Sequence, residues 1–341
     1  MNMAVYRYTG ENLIIMNKPK FIISLGVGWS ATTPLWYTLQ VQNKFVHAGL
    51  QKEMGYLDQV SYSPAERFKK QRESEAKISF PESRDVKLVS LSRSYDTNTN
   101  RRLPEAKTDL FLTQEDKRNL RSFPYTLDKY ITYYKRLWET LQENNCPYQA
   151  VGDFSNANAW LREKFCHKLV DKLSEDFDVK ALMIVRDPIR RLWSEIGSFW
   201  VPESPRQWKN IEEYKDLFFD YIRKNHHIDY SMIIEKWERV CPLHIVIMEQ
   251  LWEGDQQDKE KQRLSDYLEY DIEKIHQNVY CPDRGPNPPH YAGLHDQWSS
   301  DKYWLSDELY NQVLPFFPIY QQWIDRYGSL PLYWGKPYNY E

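Results

Sequence analysis

The run Lys180 to Val185 (KALMIV) passes without a spacer into Arg186, Asp187 and Pro188. A continuous apolar run of that length, with no polar alternation, describes a strand covered on both faces. Asp187 suits the cap of a helix and Pro188 its first position. A buried strand that turns at once into a helix belongs to a parallel sheet flanked by helices. Arg186 then stands at the strand's carboxyl end, the edge at which open α/β sheets bind ligands.

The same grammar recurs along the chain. Phe21 to Leu25 reads as a strand, followed by a turn of small residues and a helix over about 33–42. Phe45 to His47 reads as a short strand, and Tyr148 to Val151 as another, followed by a helix over about 156–173. Leu243 to Met248 (LHIVIM) is a further strand. Helical spacing also marks Leu127 to Gln142, and a helix near the carboxyl end that Pro315 and Pro318 interrupt. The segment 61–124, rich in Lys, Arg, Ser and Asn, breaks the pattern and reads as a lid-like insertion within a single domain spanning 1–341. The proline-rich stretch Cys281 to Trp298 reads as loop. The expected fold class is therefore α/β, a parallel sheet flanked by helices with a long insertion.

The turn after the first strand, SLGVGWSATT, carries two glycines, small hydroxyl residues and no charge. A strand–turn–helix of that kind exposes successive backbone N–H groups, a nest suited to phosphate or sulfate. Thr32 and Thr33 add hydroxyl donors. The turn lacks the Lys of a Walker A loop. It fits G-x-G-x-x-A through Gly26, Gly28 and Ala31, yet Phe45 to Ala48 offers no acidic partner for a ribose, so a dinucleotide site remains an alternative without its usual companion. After the later strand, Arg190 and Ser194 are one helical turn apart. An Arg at a strand tip and a Ser on the next helix can grip one phosphate through a charge-assisted fork and a hydroxyl. Arg190 and Arg191 are expected to be solvated.

Taken together, Gly26 to Thr33 and the segment Arg186-Asp187-Pro188-Ile189-Arg190-Arg191-Leu192-Trp193-Ser194 resemble the two nucleotide-binding signatures of the sulfotransferase family. Weaker echoes are GLQKEMGYL (Gly49 to Leu57), VGDFSNANAWL and CPDRGPNPPH, so the resemblance runs from about Lys20 to Gly328. It is similar in motif style to the carbohydrate-type and bacterial branches. The resemblance implies a P-loop-kinase-like fold and transfer of a sulfuryl group from 3′-phosphoadenosine-5′-phosphosulfate to an acceptor hydroxyl or amine, leaving 3′,5′-adenosine bisphosphate. It implies that Gly28, Trp29, Ser30, Ala31, Thr32 and Thr33 cradle the 5′-phosphosulfate. Arg186 and Ser194 would hold the 3′-phosphate, Arg284 and Gly285 would close over the nucleotide, and Glu53 would be the general base. No metal is implied. The chain departs from the family at Trp29, where a Lys or Arg is usual; an indole offers one neutral N–H and no charge. A slow enzyme or an inert nucleotide binder is thus a second reading.

Composition bounds the partners. A formal net charge of −3 over 341 residues argues against a nucleic-acid coat. Aromatic residues at 15% suit a groove as well as a core. Cys146, Cys166, Cys241 and Cys281 have neither metal-ligand nor disulfide-framework spacing and are expected to be buried thiols. No signal-like or membrane-spanning run is present, so a soluble, cytoplasmic chain is expected, acting on a small-molecule or carbohydrate acceptor. His47 is expected to be structural.

Overall fold

The amino-terminal residues pair as an antiparallel hairpin of β1 (Val5–Thr9) and β2 (Asn12–Met16), with Thr9 opposite Asn12. Two runs of strand-forming residues separated by Gly10 and Glu11 are a hairpin signal that the strand assignments above left out. The computed structural model describes residues 5–9, 12–16, 18–27, 30, 32–49, 56–61, 125–199, 211–223, 229–252, 256–275, 307–332 and 334–335. Past Ser61, the segment 61–124 lies outside the described residues, as do the loop 281–298, Cys281, Gly28, Trp29, Ala31, Glu53, Arg284 and Gly285.

A second sheet is parallel throughout. It comprises β3 (Lys20–Ser24), β4 (Val46–His47), β5 (Ala150–Asp153), β6 (Asp178–Val185) and β7 (Leu243–Ile247), in the order β4-β5-β3-β6-β7. Helices follow the strands: α1 (Thr32–Tyr37), α2 (Tyr56–Ser61), α3 (Leu127–Glu143), α4 (Glu163–Ser174), α5 (Pro188–Phe199), α6 (Ile211–Arg223), α7 (Tyr230–Glu238), α8 (Met248–Trp252), α9 (Gln257–Leu268), α10 (Asp307–Val313) and α11 (Ile319–Tyr327).

Both faces of the sheet are covered, which is why its strands read as apolar runs. On one face Phe21, Ile23, Ala181 and Met183 pack with Tyr130 and Tyr134 of α3, Leu169 and Leu173 of α4, and Ile233 and Trp237 of α7. On the other, Ile22, Leu182 and Ile184 pack with Leu35 of α1 and Leu264 and Leu268 of α9. The tyrosines of α3 are core: Phe21 meets Tyr134 edge-on at 4.8 Å.

Several boundaries differ from the sequence reading. The helix after the first turn is α only to Tyr37; Thr38–Gln42 is a π turn closed by the Asn43 amide on the Thr38 carbonyl. The strand expected at 148–151 starts two residues later, at Ala150. The helix expected over 156–173 is divided into a 3₁₀ turn, Asn156–Trp160, and α4, because Arg162 is extended. Pro315 and Pro318 interrupt the last helix as expected, with a 3₁₀ turn at Leu314–Phe316 between α10 and α11. Cys166 and Cys241 are buried thiols, whereas Cys146 is half-exposed because it follows the carboxyl end of α3. Among the described residues no helix is long and apolar enough to cross a membrane.

A buried histidine and a half-buried one make the fold acid-sensitive. Burial lowers His47 to about 4, and burial together with Arg263 lowers His244 to about 4. Above the ordinary value both are neutral, folded or unfolded. As pH falls below it the unfolded chain takes up protons that the folded chain refuses, so stability is lost. One such histidine costs about 1 kcal/mol near pH 5.5. His244 stacks on Tyr267 at 5.0 Å, and among the described residues its buried Nε2 has no partner. His244→Phe is therefore expected to keep the stack and to flatten the pH dependence of urea unfolding between about pH 6.5 and 5. An unchanged slope would show that His244 is not the sensitive group.

Candidate functional site

The tips of β5, β3 and β6 lie side by side at the carboxyl edge of the sheet. Ile23 is opposite Asp153, Ser24 is opposite Leu182, and the Leu25 amide donates to the Leu182 carbonyl at 2.7 Å. Three chain segments therefore leave the sheet together: the small-residue turn from Ser24, the segment from Asp153, and the Arg186–Asp187 link.

The turn is packed too tightly for a side chain at Gly26. A Cβ there would fall inside the Thr32 methyl and lie 2.7 Å from Asn156 Oδ1. The Ser30 amide closes the turn on the Val27 carbonyl at 3.2 Å. Thr32 is buried at the start of α1, and Thr33 is half-buried. Among the described residues the buried Ser24 hydroxyl has no hydrogen-bond partner, and the buried Ser30 hydroxyl has only Tyr230 close by. Buried hydroxyls are nearly always paired, so an unpartnered hydroxyl beside this turn fits an added polar group.

The Asp153 segment forms the adjoining wall. Its carboxylate is fully buried and accepts from Tyr130 Oη at 2.9 Å, the Ser155 amide at 2.9 Å and Ser155 Oγ at 2.5 Å. Burial raises its pKa, and these bonds oppose the rise. Asn158 Nδ2 reaches back to the Ser24 carbonyl at 3.4 Å, tying this wall to the turn.

At the β6 tip the cap read from sequence is present. Asp187 Oδ1 accepts from the Arg190 amide at 3.0 Å, and α5 begins at Pro188. Arg186 is half-buried. Ser194 falls within α5, one turn beyond Arg190. The expectation of solvated Arg190 and Arg191 is corrected: both are buried. The reason is tertiary. The carboxyl-terminal helices fold over the start of α5, so the Arg190 guanidinium lies 5.6 Å from the Tyr310 ring centroid, and Arg191 lies close enough to Tyr230 to favour its phenolate.

Tyr230, at the start of α7, joins two of these segments. Its hydroxyl donates to the Arg186 carbonyl at 2.9 Å. The Ser30 hydroxyl stands beside it, near enough to lower its pKa though without a geometrically complete hydrogen bond. Burial outweighs Arg191 and Ser30 and pushes the phenol up to about 12. Sequence reasoning missed Tyr230. It also missed Glu249, although an acid directly after the strand LHIVIM was legible as a strand-tip residue. The arrangement brings Ser30, Thr32 and Arg186 to one end of the sheet; it leaves Glu53, Arg284 and Gly285 outside the described residues. Among the described residues no cluster of three or more His, Cys, Asp or Glu could hold a metal ion.

No family model matches the chain, and no curated protein matches it. Among solved structures, a sulfotransferase from Mycobacterium avium superposes with a TM-score of 0.38 at 14% identity, covering 92% of this chain and 78% of that one.

Proposed function

We propose that the chain is a sulfotransferase that takes its sulfuryl group from 3′-phosphoadenosine-5′-phosphosulfate. The observation that carries this reading is the meeting of the Ser30 turn and the Arg186 tip at Tyr230, on neighbouring central strands. A donor with an anion at each end of one adenosine suits two such anchors. The 5′ end takes the turn, through backbone amides and the Ser30, Thr32 and Thr33 hydroxyls, with Gly28, Trp29 and Ala31 completing it. The 3′-phosphate takes Arg186 and Ser194. Arg284 and Gly285 belong to the covering loop.

In the reaction the acceptor oxygen or nitrogen forms a bond to sulfur as the bond from sulfur to the phosphate oxygen breaks. The acceptor's proton passes to Glu53. The leaving bisphosphate gains the negative charge, and preorganised amides stabilise it, as in phosphoryl transfer. No metal has a role in this scheme. A carbohydrate hydroxyl is the first acceptor to try, because of the segment around Glu53.

The strand order bears on the dinucleotide alternative. Counting parallel strands in chain order, it is 2-3-1-4-5. Dinucleotide folds place the second strand beside the first, whereas here the third lies between them. The inert-binder reading is favoured by Trp29 alone, which supplies no charge to the leaving group.

Transfer of labelled sulfate from the donor onto sugars, phenols, amines and lipids tests the proposal. Product on any acceptor supports it. Nucleotide binding with no product on any acceptor favours the inert reading, and no binding removes both. Arg186→Ala is expected to weaken binding of 3′,5′-adenosine bisphosphate by roughly 1.5–3 kcal/mol, the loss of a charge-assisted contact. Calorimetric titration measures it, and an unchanged affinity would place the 3′-phosphate elsewhere.

A further inference from the structure

The peptide that links Arg186 to Asp187 is held from both sides. Its carbonyl accepts from Tyr230 at 2.9 Å, and its N–H donates to Glu249 Oε1 at 2.8 Å. Glu249 stands in α8, directly after β7, the strand next to β6. Its second oxygen, Oε2, accepts from the indole N–H of Trp334 at 3.0 Å. Glu249 and Asp187 are fully buried, and Trp334 nearly so. The carboxyl-terminal segment fastens to Asp187 as well: its Oδ2 accepts from Tyr310 at 2.7 Å, Tyr320 at 2.9 Å and the Gly335 amide at 3.4 Å.

We propose that Glu249 is the positioning residue of the β6 tip: it fixes the Arg186–Asp187 peptide, Trp334 fixes Glu249 in turn, and the anion site includes the carboxyl-terminal segment. The inference rests on the reading of Arg186 as an anion ligand. Holding that peptide on both sides fixes ψ at Arg186 and so the path of the strand tip from which its side chain departs, which a guanidinium that must meet a phosphate needs. A buried carboxylate is a costly way to accept two N–H groups unless its charge matters. Here the charge lies close to the cation.

The groups facing Glu249 are Asp187 and Arg186 from the β6–α5 link, Tyr230 from α7 and Trp334 from the carboxyl-terminal segment. Burial and Asp187 push Glu249 up to about 7, against the Asp187 and Trp334 hydrogen bonds and Arg186. An anion seated at Arg186 repels ionised Glu249, so binding takes up a proton. By linkage, anion affinity falls as pH rises through neutrality.

The test compares the full chain with its Glu249→Gln and Trp334→Phe variants. Without ligand, the Arg186 Nε–H resonance is followed by NMR against pH. It is expected to titrate near neutrality in the parent, to be flat in E249Q, and to be displaced in W334F. With 3′,5′-adenosine bisphosphate, whose phosphates themselves titrate near pH 6, the ratio of parent to E249Q affinity is expected to fall about threefold to tenfold from about pH 6 to 8.5. An Arg186 resonance indifferent to both variants, or an E249Q affinity profile parallel to the parent, would overturn the inference. If the parent binds no nucleotide, the proposed function fails, and the Arg186 resonance still decides the role of Glu249. If E249Q does not fold, W334F decides it from the other side of the carboxylate.

Discussion

Asp187→Ala is expected to lower the unfolding free energy by about 3–5 kcal/mol, the sum of a lost cap and stranded buried donors. Asp187 is fully buried and caps α5 through the Arg190 amide at 3.0 Å. The same carboxylate accepts from Tyr310 and Tyr320, which lie 123 and 133 residues away in the chain. Removing it leaves the two buried phenols with each other, at 3.0 Å, and with the Gly335 amide on Tyr310, also at 3.0 Å. It also loosens the junction between the sheet and the carboxyl-terminal helices. Asp187→Asn keeps an acceptor and the cap, so its cost should be smaller, about 1–2 kcal/mol. Urea unfolding of the three proteins measures the series. A loss for Asp187→Ala within about 0.5 kcal/mol, the range of a surface substitution, would contradict the clasp.

Gly26→Ala is expected to destabilise the fold by about 2–3 kcal/mol and to remove nucleotide binding, because an overpacked turn must open. The added Cβ meets the Thr32 methyl and lies 2.7 Å from Asn156 Oδ1. Neither neighbour is a flexible tip that can swing away: Thr32 is buried at the start of α1, and Asn156 opens the 3₁₀ turn behind Asp153. The Thr32→Ser change deletes the obstructing methyl and keeps the hydroxyl. The double variant Gly26→Ala, Thr32→Ser should therefore recover about half of the lost stability and some binding. Strict additivity of the two changes, with no recovery, would show that the turn is not tight between Gly26 and Thr32.

The parts of this architecture that were legible in sequence are the local ones. The run Lys180 to Val185 is a strand because five of its six residues are apolar and both sheet faces are covered. Asp187 and Pro188 announced the start of α5 by their own chemistry, with no need of distant residues. The fates of Arg190 and Arg191 were not legible. A guanidinium at the start of a helix is normally solvated, and what encloses these two are Tyr310 and Tyr230, which no local period connects to α5. Glu249 was missed for a similar reason. Its role appears only when β7 is known to lie beside β6, a matter of strand order and not of spacing. The helix over 156–173 was divided because the chain is extended at Arg162, after a 3₁₀ turn in which Asn158 reaches back to Ser24.

The central claim is that a single adenosine nucleotide bridges the Ser30 turn and Arg186. A crystal structure with 3′,5′-adenosine bisphosphate tests it most directly. The account predicts the 5′-phosphate within about 3 Å of the Ser30 or Thr32 donors and the 3′-phosphate within about 3 Å of the Arg186 guanidinium. A nucleotide seated elsewhere, or touching the turn with its 3′-phosphate turned away from Arg186, would contradict it.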